Sequence, residues 1–494
     1  MDRTAVAGAD PERIGHDEPA SSAPPGPVLT AEQQAALDLL LQAVADGAEA
    51  ALLGPAGSGK TTVVRQLLRR LEAEGRLVEA LVLAPTHKAR RQVEQGLAME
   101  VRTTTVASVL RLKPAIHRIT GAVEFLRDES RDPLEAAAIR SGPAPRLLLC
   151  DEASMVSIEA GDQLANVAEQ LEAALIWVGD PAQLPPVNDG VLSPRLTGCK
   201  RSARLETVMR TGVGPVLELS VALRKAEHPS QAWPARSVAH GDSKVLVHRH
   251  PNHWIAAAHE VIGSEAWAEN PDLARVVAWT HLGCKTVSSR LRSMRWGAAA
   301  DRWHPGEWIS AVHGLPTEGA ALDNPRCPAS TELQIVQVGE PQVLSELYDT
   351  IEWKTPRRGF VRSFEIGAEA TVCRVVLADR TGSGEQHEAW LELPGQQGKW
   401  EEQVKRVRSE VRAHIHGEAA RRTALQQVAD LRSLVPDLRP AEAMTVHAAQ
   451  GSSFEQVWVW RDLAWCPLEK GVRELAYVSV SRAEKAVHLL PWSG

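Results

Sequence analysis

The chain has 494 residues, and at roughly 100–200 residues per domain that length implies about three or four folding units and excludes a single small binding module. Hydrophobic residues make up 44% and charged residues 24%, close to globular averages, which supplies sizeable cores and excludes a wholly disordered chain. Lys plus Arg total 55 against 62 Asp plus Glu, a formal net charge of -7, so any nucleic-acid site has to be a local basic groove.

The first stretch, 1–28, mixes Asp, Glu, Pro, Ser and Gly with few large apolar groups and is expected to be a disordered tail. LTAEQQAALDLLLQAV then places apolar residues at helical spacing behind Thr30, a residue suited to an N-cap. A rhythm of short apolar runs follows: Ala50 to Gly54, Ala80 to Thr86, Arg146 to Glu152 and Ala174 to Asp180. Each ends in small or polar residues, the pattern of strands buried on both faces of a parallel sheet, and helical stretches separate them. Residues 29–111 and 146–212 therefore read as one α/β domain with loops at the strand C-termini. It is interrupted over 112–145 by IHRITGAVEFLRD, expected to be a hairpin turning at Thr120-Gly121.

A second α/β signature covers 213–295, with Ala274 to His281 as its clearest strand, and returns over 441–494. The interval 296–440 reads as an inserted domain. Its strand-like pieces WISAVH, ELQIVQVG and ATVCRVVLAD predict a small β-barrel, and the charged run Lys399 to Leu434 predicts a helix or helical pair. The six cysteines form no C-x-x-C pair, which argues against a zinc module or disulfide framework and fits a reducing, cytoplasmic setting. No apolar run approaches the ~18 residues of a membrane span, and the N-terminus lacks the order of a signal peptide, so no membrane partner is expected.

GPAGSGKTT, Gly54 to Thr62, matches the phosphate-loop pattern and lies between a strand and a helix. Backbone N–H groups of Gly57, Ser58, Gly59, Lys60, Thr61 and Thr62 can wrap nucleotide phosphates. Lys60 reaches the β/γ oxygens, and the Thr61 hydroxyl can ligate Mg²⁺. LLLCDEAS ends another strand with adjacent carboxylates, an arrangement in which Asp151 holds Mg²⁺ and Glu152 polarises the attacking water. ATP and Mg²⁺ are the cofactors this pair of motifs calls for.

WVGDPAQLPPV, Trp177 to Val187, resembles motif III of superfamily 1 helicases. The other elements follow in the order such proteins require: LTAEQQ, APTHKA, TVMRTG, MTVHAAQGSSFEQVWV and AYVSVSRAEKAVHL. Together they resemble a superfamily 1B DNA helicase of the RecD and phage Dda type. The resemblance implies two RecA-like motor domains, a pin hairpin inserted in the first and an SH3-like domain in the second. It assigns Gln33 to adenine, Gln183 to sensing the γ-phosphate, and Arg210 and Arg482 to the γ-phosphate from the second motor. It places Thr86, His87 and Ser108 in one motor, and Thr445 and His447 in the other, against a single strand of DNA. Phe125, the one Phe or Tyr of the hairpin, becomes the candidate for stacking on the terminal base pair of a duplex junction. The chain departs from the family at Ala107, which precedes Ser108, at Ala448 where a Lys is common, and at Ser481 in place of Thr.

The implied activity is ATP-driven movement 5′ to 3′ on single-stranded DNA, with a protein partner in a repair, recombination, replication or defence complex. Two readings stand beside it. One is an RNA helicase or a translocase that strips proteins; the other is a nucleotide-dependent switch that remodels protein partners, or the motor subunit of a nuclease complex.

Overall fold

The computed structural model describes residues 28–116, 123–127, 132–186, 189–208, 214–315, 327, 329–354, 361–379, 385–467 and 471–492. The expected tail, Val28 apart, lies outside these residues, as do the hairpin tip at Thr120-Gly121 and Arg210.

The first sheet gathers β1 (Glu49–Leu53), β2 (Ala80–Ala84) and β3 (Arg102–Thr105). The chain then leaves as the antiparallel pair β4 (Leu112–Ile116) and β5 (Val123–Arg127), and returns with β6 (Leu147–Cys150), β7 (Ala174–Gly179) and β8 (Ser202–Arg204). Pairing within the sheet is parallel and its order is β3-β2-β6-β7-β1-β8. Every residue of β2, β6 and β7 is buried. The apolar runs conceal a period of two: Ala50, Leu52, Val82, Leu149, Ile176 and Val178 pack under the helices Ala31–Ala45, Lys60–Ala73 and His87–Leu97. Their alternates Ala51, Leu53, Leu81, Leu148, Cys150 and Trp177 pack with Leu164 and Val167 of the helix Ile158–Gln170 on the opposite face. Helices on both faces are what a parallel sheet needs for its connections and for burial.

The order has a direct functional consequence. Because β6, β7 and β1 are neighbours, their C-terminal ends set the Asp151-Glu152 pair, Asp180 and the phosphate loop side by side along one rim, with strands about 4.8 Å apart.

The second sheet begins with β9 (Val238–His240), β10 (Ser243–Val247) and β11 (Ala274–Ala278). The chain then builds a third, antiparallel sheet from β12 (Trp308–Ala311), β13 (Thr331–Val338), β14 (Gln342–Lys354), β15 (Val361–Asp379), β16 (Gln386–Glu392) and β17 (Leu438–Pro440). It returns to the second sheet as β18 (Ala443–Thr445), β19 (Phe454–Val459) and β20 (Ala483–Leu489), completing the order β18-β11-β19-β20-β10-β9. Only the β9–β10 edge pair in it is antiparallel.

The long strand β15 serves two cores. Ile366, Ala368, Ala370 and Val372 face Trp400, Val404, Val411, Leu425 and Val428 of the helices Lys399–His414 and Glu418–Leu434. Cys373, Val375 and Leu377 face Ile309, Leu333 and Leu438 in the sheet's own core. The Trp400 indole donates to the Leu431 carbonyl at 3.0 Å, so the buried ring keeps its polar handle satisfied. The architecture is thus two RecA-like α/β motors, a hairpin inserted in the first and a β-sheet with a helical pair inserted in the second. No helix among the described residues is long and apolar enough to cross a membrane.

Candidate functional site

The phosphate loop leaves β1 at Gly54 and enters the helix Lys60–Ala73. Gly57 and Gly59 have φ of 78° and 88°, a left-handed backbone that side chains disfavour. Gly54 is held by close approach instead: a Cβ there would stand 2.6 Å from Ser58 Oγ and 2.7 Å from the Leu205 carbonyl. Lys60 Nζ curls back to donate to the carbonyls of Gly54 at 2.8 Å and Pro55 at 2.9 Å. Burial pulls its ammonium pKa down, the carboxylates of Glu152, Asp180 and Asp151 oppose that, and Arg482 pushes it down further. Thr61 is exposed and Thr62 half-buried at the helix start.

Gln33 is buried beside this loop. Its backbone N–H and side-chain oxygen complete a capping box with Thr30, and its Nε2 donates to the Ser58 carbonyl at 3.3 Å. The helix start and the phosphate loop are thereby tied through one amide.

Asp151 and Glu152 follow β6. Burial and the neighbouring Glu152 carboxylate raise the Asp151 pKa, while the Glu152 backbone N–H and Lys60 act against the rise. That N–H reaches Asp151 Oδ1 at 2.9 Å. Glu152 itself sits at φ 49°, ψ 39°, a left-handed conformation that costs a non-glycine residue roughly 1–2 kcal/mol. The strain falls on the residue expected to polarise water, where such strain tends to be kept. Gln183 is 3% exposed and accepts from Ser154 Oγ at 3.5 Å, which connects it to the turn carrying the two carboxylates.

The second motor closes the opposite side. Arg482 caps the helix Val472–Ser481 and is 5% exposed; its Nη1 donates to the Ser452 carbonyl at 3.3 Å. Its Nε and Nη2, with Ser58 Oγ and Ser452 Oγ, are buried without a hydrogen-bond partner among the described residues. Guanidinium and hydroxyl donors of this kind, close enough for Arg482 to act on Lys60, suit a polyphosphate. The described residues contain no group of three or more His, Cys, Asp or Glu that could hold a metal. Mg²⁺ bound through phosphates needs only one or two protein oxygens, and the Thr61 hydroxyl and Asp151 carboxylate fit that demand.

The two motors also meet through residues to which motif reading gave no role. Asp180 closes β7 and is fully buried; Arg224 and Tyr477, both from the second motor, bind its carboxylate at 3.1 and 2.5 Å. Gln450 Nε2 donates to the Leu184 carbonyl at 3.0 Å, and Leu184 packs into the second motor's core.

Away from the cleft, Thr86 and Thr445 occupy matching positions. Thr86 lies two residues beyond β2 and Thr445 ends β18, and each caps the next helix, Thr86 accepting from Ala89 N–H and Thr445 from Ala448 N–H. Nearby, Gly451 of the second motor approaches Ala89 of the first, a Cβ on the glycine falling 3.4 Å from Ala89 Cβ. His87 and His447 stand beside the caps, both with pKa lowered chiefly by burial, and His87 also by Arg90 and Arg91. Ser108 is exposed, with its hydroxyl 2.8 Å from that of Thr105. Thr280 repeats the strand–cap arrangement on β11, held by Asp462 through Trp279 N–H, Thr280 N–H and the Thr280 hydroxyl. Its signal in sequence is the Thr-His pair shared by APTHKA and AWTHLG. Of the remaining candidates, Phe125 lies on β5 opposite Pro114.

Residues 28–242 match the family model described as an AAA domain, and 440–490 match that of a UvrD-like helicase C-terminal domain. An uncharacterized protein of Acanthamoeba polyphaga mimivirus is 29% identical over 149 residues, 28% of this chain and 29% of that one. A probable conjugal transfer protein TraA of Sinorhizobium fredii is 29% identical over 184 residues, 37% of this chain and 14% of that one. The chain thus spans less than a third of the length of these relatives. Among solved structures, Bacteroides Pif1 helicase with ADP-AlF3 and ssDNA aligns over 93% of this chain and 92% of its own, at 14% identity and TM-score 0.46. Pif1 helicase from Candida albicans aligns over 94% and 95%, at 13% identity and TM-score 0.43.

Proposed function

We propose that the chain is a superfamily 1B helicase that hydrolyses ATP to travel 5′ to 3′ along single-stranded DNA and to part duplex at a junction, a reading that the matches to an AAA domain and to a UvrD-like helicase C-terminal domain support. The observation that best supports this is the convergence on one cleft of Lys60, Asp151 and Glu152 from one motor with Arg482 from the other, Arg482 near enough to perturb Lys60.

In this reading Lys60 and the loop N–H groups bind the β- and γ-phosphates, and Gln33 reads the adenine. Glu152 accepts a proton from the attacking water while Gln183 senses the γ-phosphate. Thr61 and Asp151 would hold Mg²⁺, which would supply charge neutralisation at the phosphates. Arg482, joined by Arg210, donates to the charge that develops in the transition state, so hydrolysis depends on closure of the cleft. The strand runs over Thr86, His87 and Ser108 on one motor and Thr445 and His447 on the other, and the N-terminus of the helix His87–Leu97 favours phosphate. Alternating grip on the two clusters converts closure into a step, and the β4–β5 hairpin with Phe125 is the wedge at the junction.

The test is ATP turnover with Mg²⁺ in the presence of single-stranded DNA, single-stranded RNA or duplex, followed by unwinding of duplexes with a 5′ or a 3′ tail. The expected result is many-fold stimulation by single-stranded DNA and unwinding from the 5′ tail. Stimulation by RNA alone would reassign the substrate. Turnover indifferent to every nucleic acid would leave a nucleotide-dependent switch, and unwinding only from the 3′ tail would refute the direction.

A further inference from the structure

The Asp180 carboxylate, fully buried at the end of β7, takes hydrogen bonds from both motors. Its Oδ1 accepts from Ala182 N–H at 3.0 Å and from Arg224 Nη2 at 3.1 Å, and its Oδ2 accepts from the Tyr477 hydroxyl at 2.5 Å. The same hydroxyl accepts from Ala56 N–H at 3.3 Å. An amide N–H only donates and the Arg-paired carboxylate only accepts, so the phenol has one possible orientation, as acceptor from the phosphate loop and donor to Asp180. The hydroxyl thus reads the loop at Ala56, next to the two carbonyls held by Lys60.

Tyr477 lies on the helix that ends at Arg482, five residues away or about 7.5 Å along the axis. A shift of the phosphate loop that moves the phenol therefore moves the helix end that carries Arg482. The Tyr477 ring belongs to the second motor's core, but packing requires only the ring. A phenylalanine would fill the same space, so the hydroxyl itself is left to serve the contact across the cleft.

We propose that the Tyr477 hydroxyl is a positioning group for ATP hydrolysis, fixing the phosphate loop in register with the second motor and so setting where Arg482 stands. The inference rests on the ATP-hydrolysis reading above. It separates binding from chemistry. The loop keeps its glycines and Lys60 without the hydroxyl, so nucleotide still binds, whereas misplacement of a transition-state group by about 1 Å costs up to ~100-fold in rate.

The experiment is steady-state and single-turnover ATP hydrolysis by the full chain and its Tyr477→Phe variant, with fluorescent-nucleotide titration and thermal unfolding of both. Tyr477→Phe is expected to lower kcat by about 10- to 100-fold with KM within about threefold and an unfolding midpoint near the parent's. In an Arg482→Ala background, measured by single turnover, Tyr477→Phe should add little further loss, since both act through one group. A Tyr477→Phe variant with unchanged kcat, a rise in KM alone, or a full additional loss on top of Arg482→Ala would each overturn the proposal. A parent that does not hydrolyse ATP would remove the motor reading and this one together; a parent that does, with Tyr477→Phe indistinguishable from it, would remove this one alone.

Discussion

Replacing Arg482 by alanine tests whether the second motor supplies a transition-state charge. The side chain is 5% exposed, and its one hydrogen bond among the described residues goes to the Ser452 carbonyl at 3.3 Å. That bond lies within the second motor and does not cross the cleft, so its loss, about 1.5–3 kcal/mol for a charged donor, falls on folding and leaves kcat to report the γ-phosphate contact. An arginine acting on the γ-phosphate is worth about 10³ to 10⁵ in rate, or roughly 4–7 kcal/mol at 1.36 kcal/mol per decade. Ground-state binding should respond differently, because Arg482 depresses the Lys60 pKa as a like charge and its removal relieves that repulsion. The expected outcome is a kcat reduced by about 10³ or more, with nucleotide affinity changed by less than about tenfold. Single-turnover hydrolysis and fluorescent-nucleotide titration measure the two separately. Arg482→Lys should recover little, since an ammonium cannot reproduce the guanidinium fork. A raised KM with unchanged kcat would refute the reasoning and return Arg482 to ordinary binding.

Lys60→Ala should lose nucleotide affinity, whereas Glu152→Gln should bind ATP with turnover reduced by about 10² to 10⁴; equal affinity and turnover in both variants and the parent would contradict these roles. Shortening the segment between β4 and β5 at Thr120 and Gly121, where the sequence predicts the turn, should spare DNA-stimulated hydrolysis and movement on single strands while lowering duplex unwinding, and parent-rate unwinding by a folded variant would place the wedge elsewhere. His488 is stacked on Trp458 and bonded to His248 and Gln456, and burial followed by the His248 charge pushes its pKa down to about 3. The unfolded chain takes up this proton from about pH 6.5 downward while the folded chain does not, so stability should fall between about pH 6.5 and 3, by about 2 kcal/mol at pH 5 from this residue. His488→Gln should flatten that part of the profile in thermal unfolding; a slope identical to the parent's would assign the loss to other groups.

The parts of the molecule legible in sequence are those where backbone geometry or two-sided burial restricts residue choice. The strands β1, β2, β6 and β7 stood out as apolar runs because both faces are covered, and the phosphate loop stood out because its glycines answer a positive φ or a close approach. The pairing of Tyr477 with Asp180 was hidden for the opposite reason. The two are 297 positions apart, and a tyrosine in an apolar helix reads as core, which its ring also is. Only packing reveals what its hydroxyl touches. Gln33 shows a related gap: motif position assigns it to adenine, while the fold shows its amide already shared between the Thr30 capping box and the Ser58 carbonyl. The Arg224 partner had no signal of its own, since arginines near helix ends are common and favourable without any function.

The contacts across the cleft also constrain how the proposed cycle can run. Opening would separate Asp180 from Tyr477 and Arg224, and Gln450 from the Leu184 carbonyl. If the carboxylate stayed dry, the broken pair would cost about 3–5 kcal/mol. Opening that admits water replaces each lost bond with hydration, and the net cost drops to about 1 kcal/mol per hydrogen bond. A latch of that size can be released by nucleotide exchange and re-formed by the next ATP. The placement of Asp180 at the rim of β7, where water can enter as the motors part, is therefore what makes a fully buried charge compatible with repeated movement.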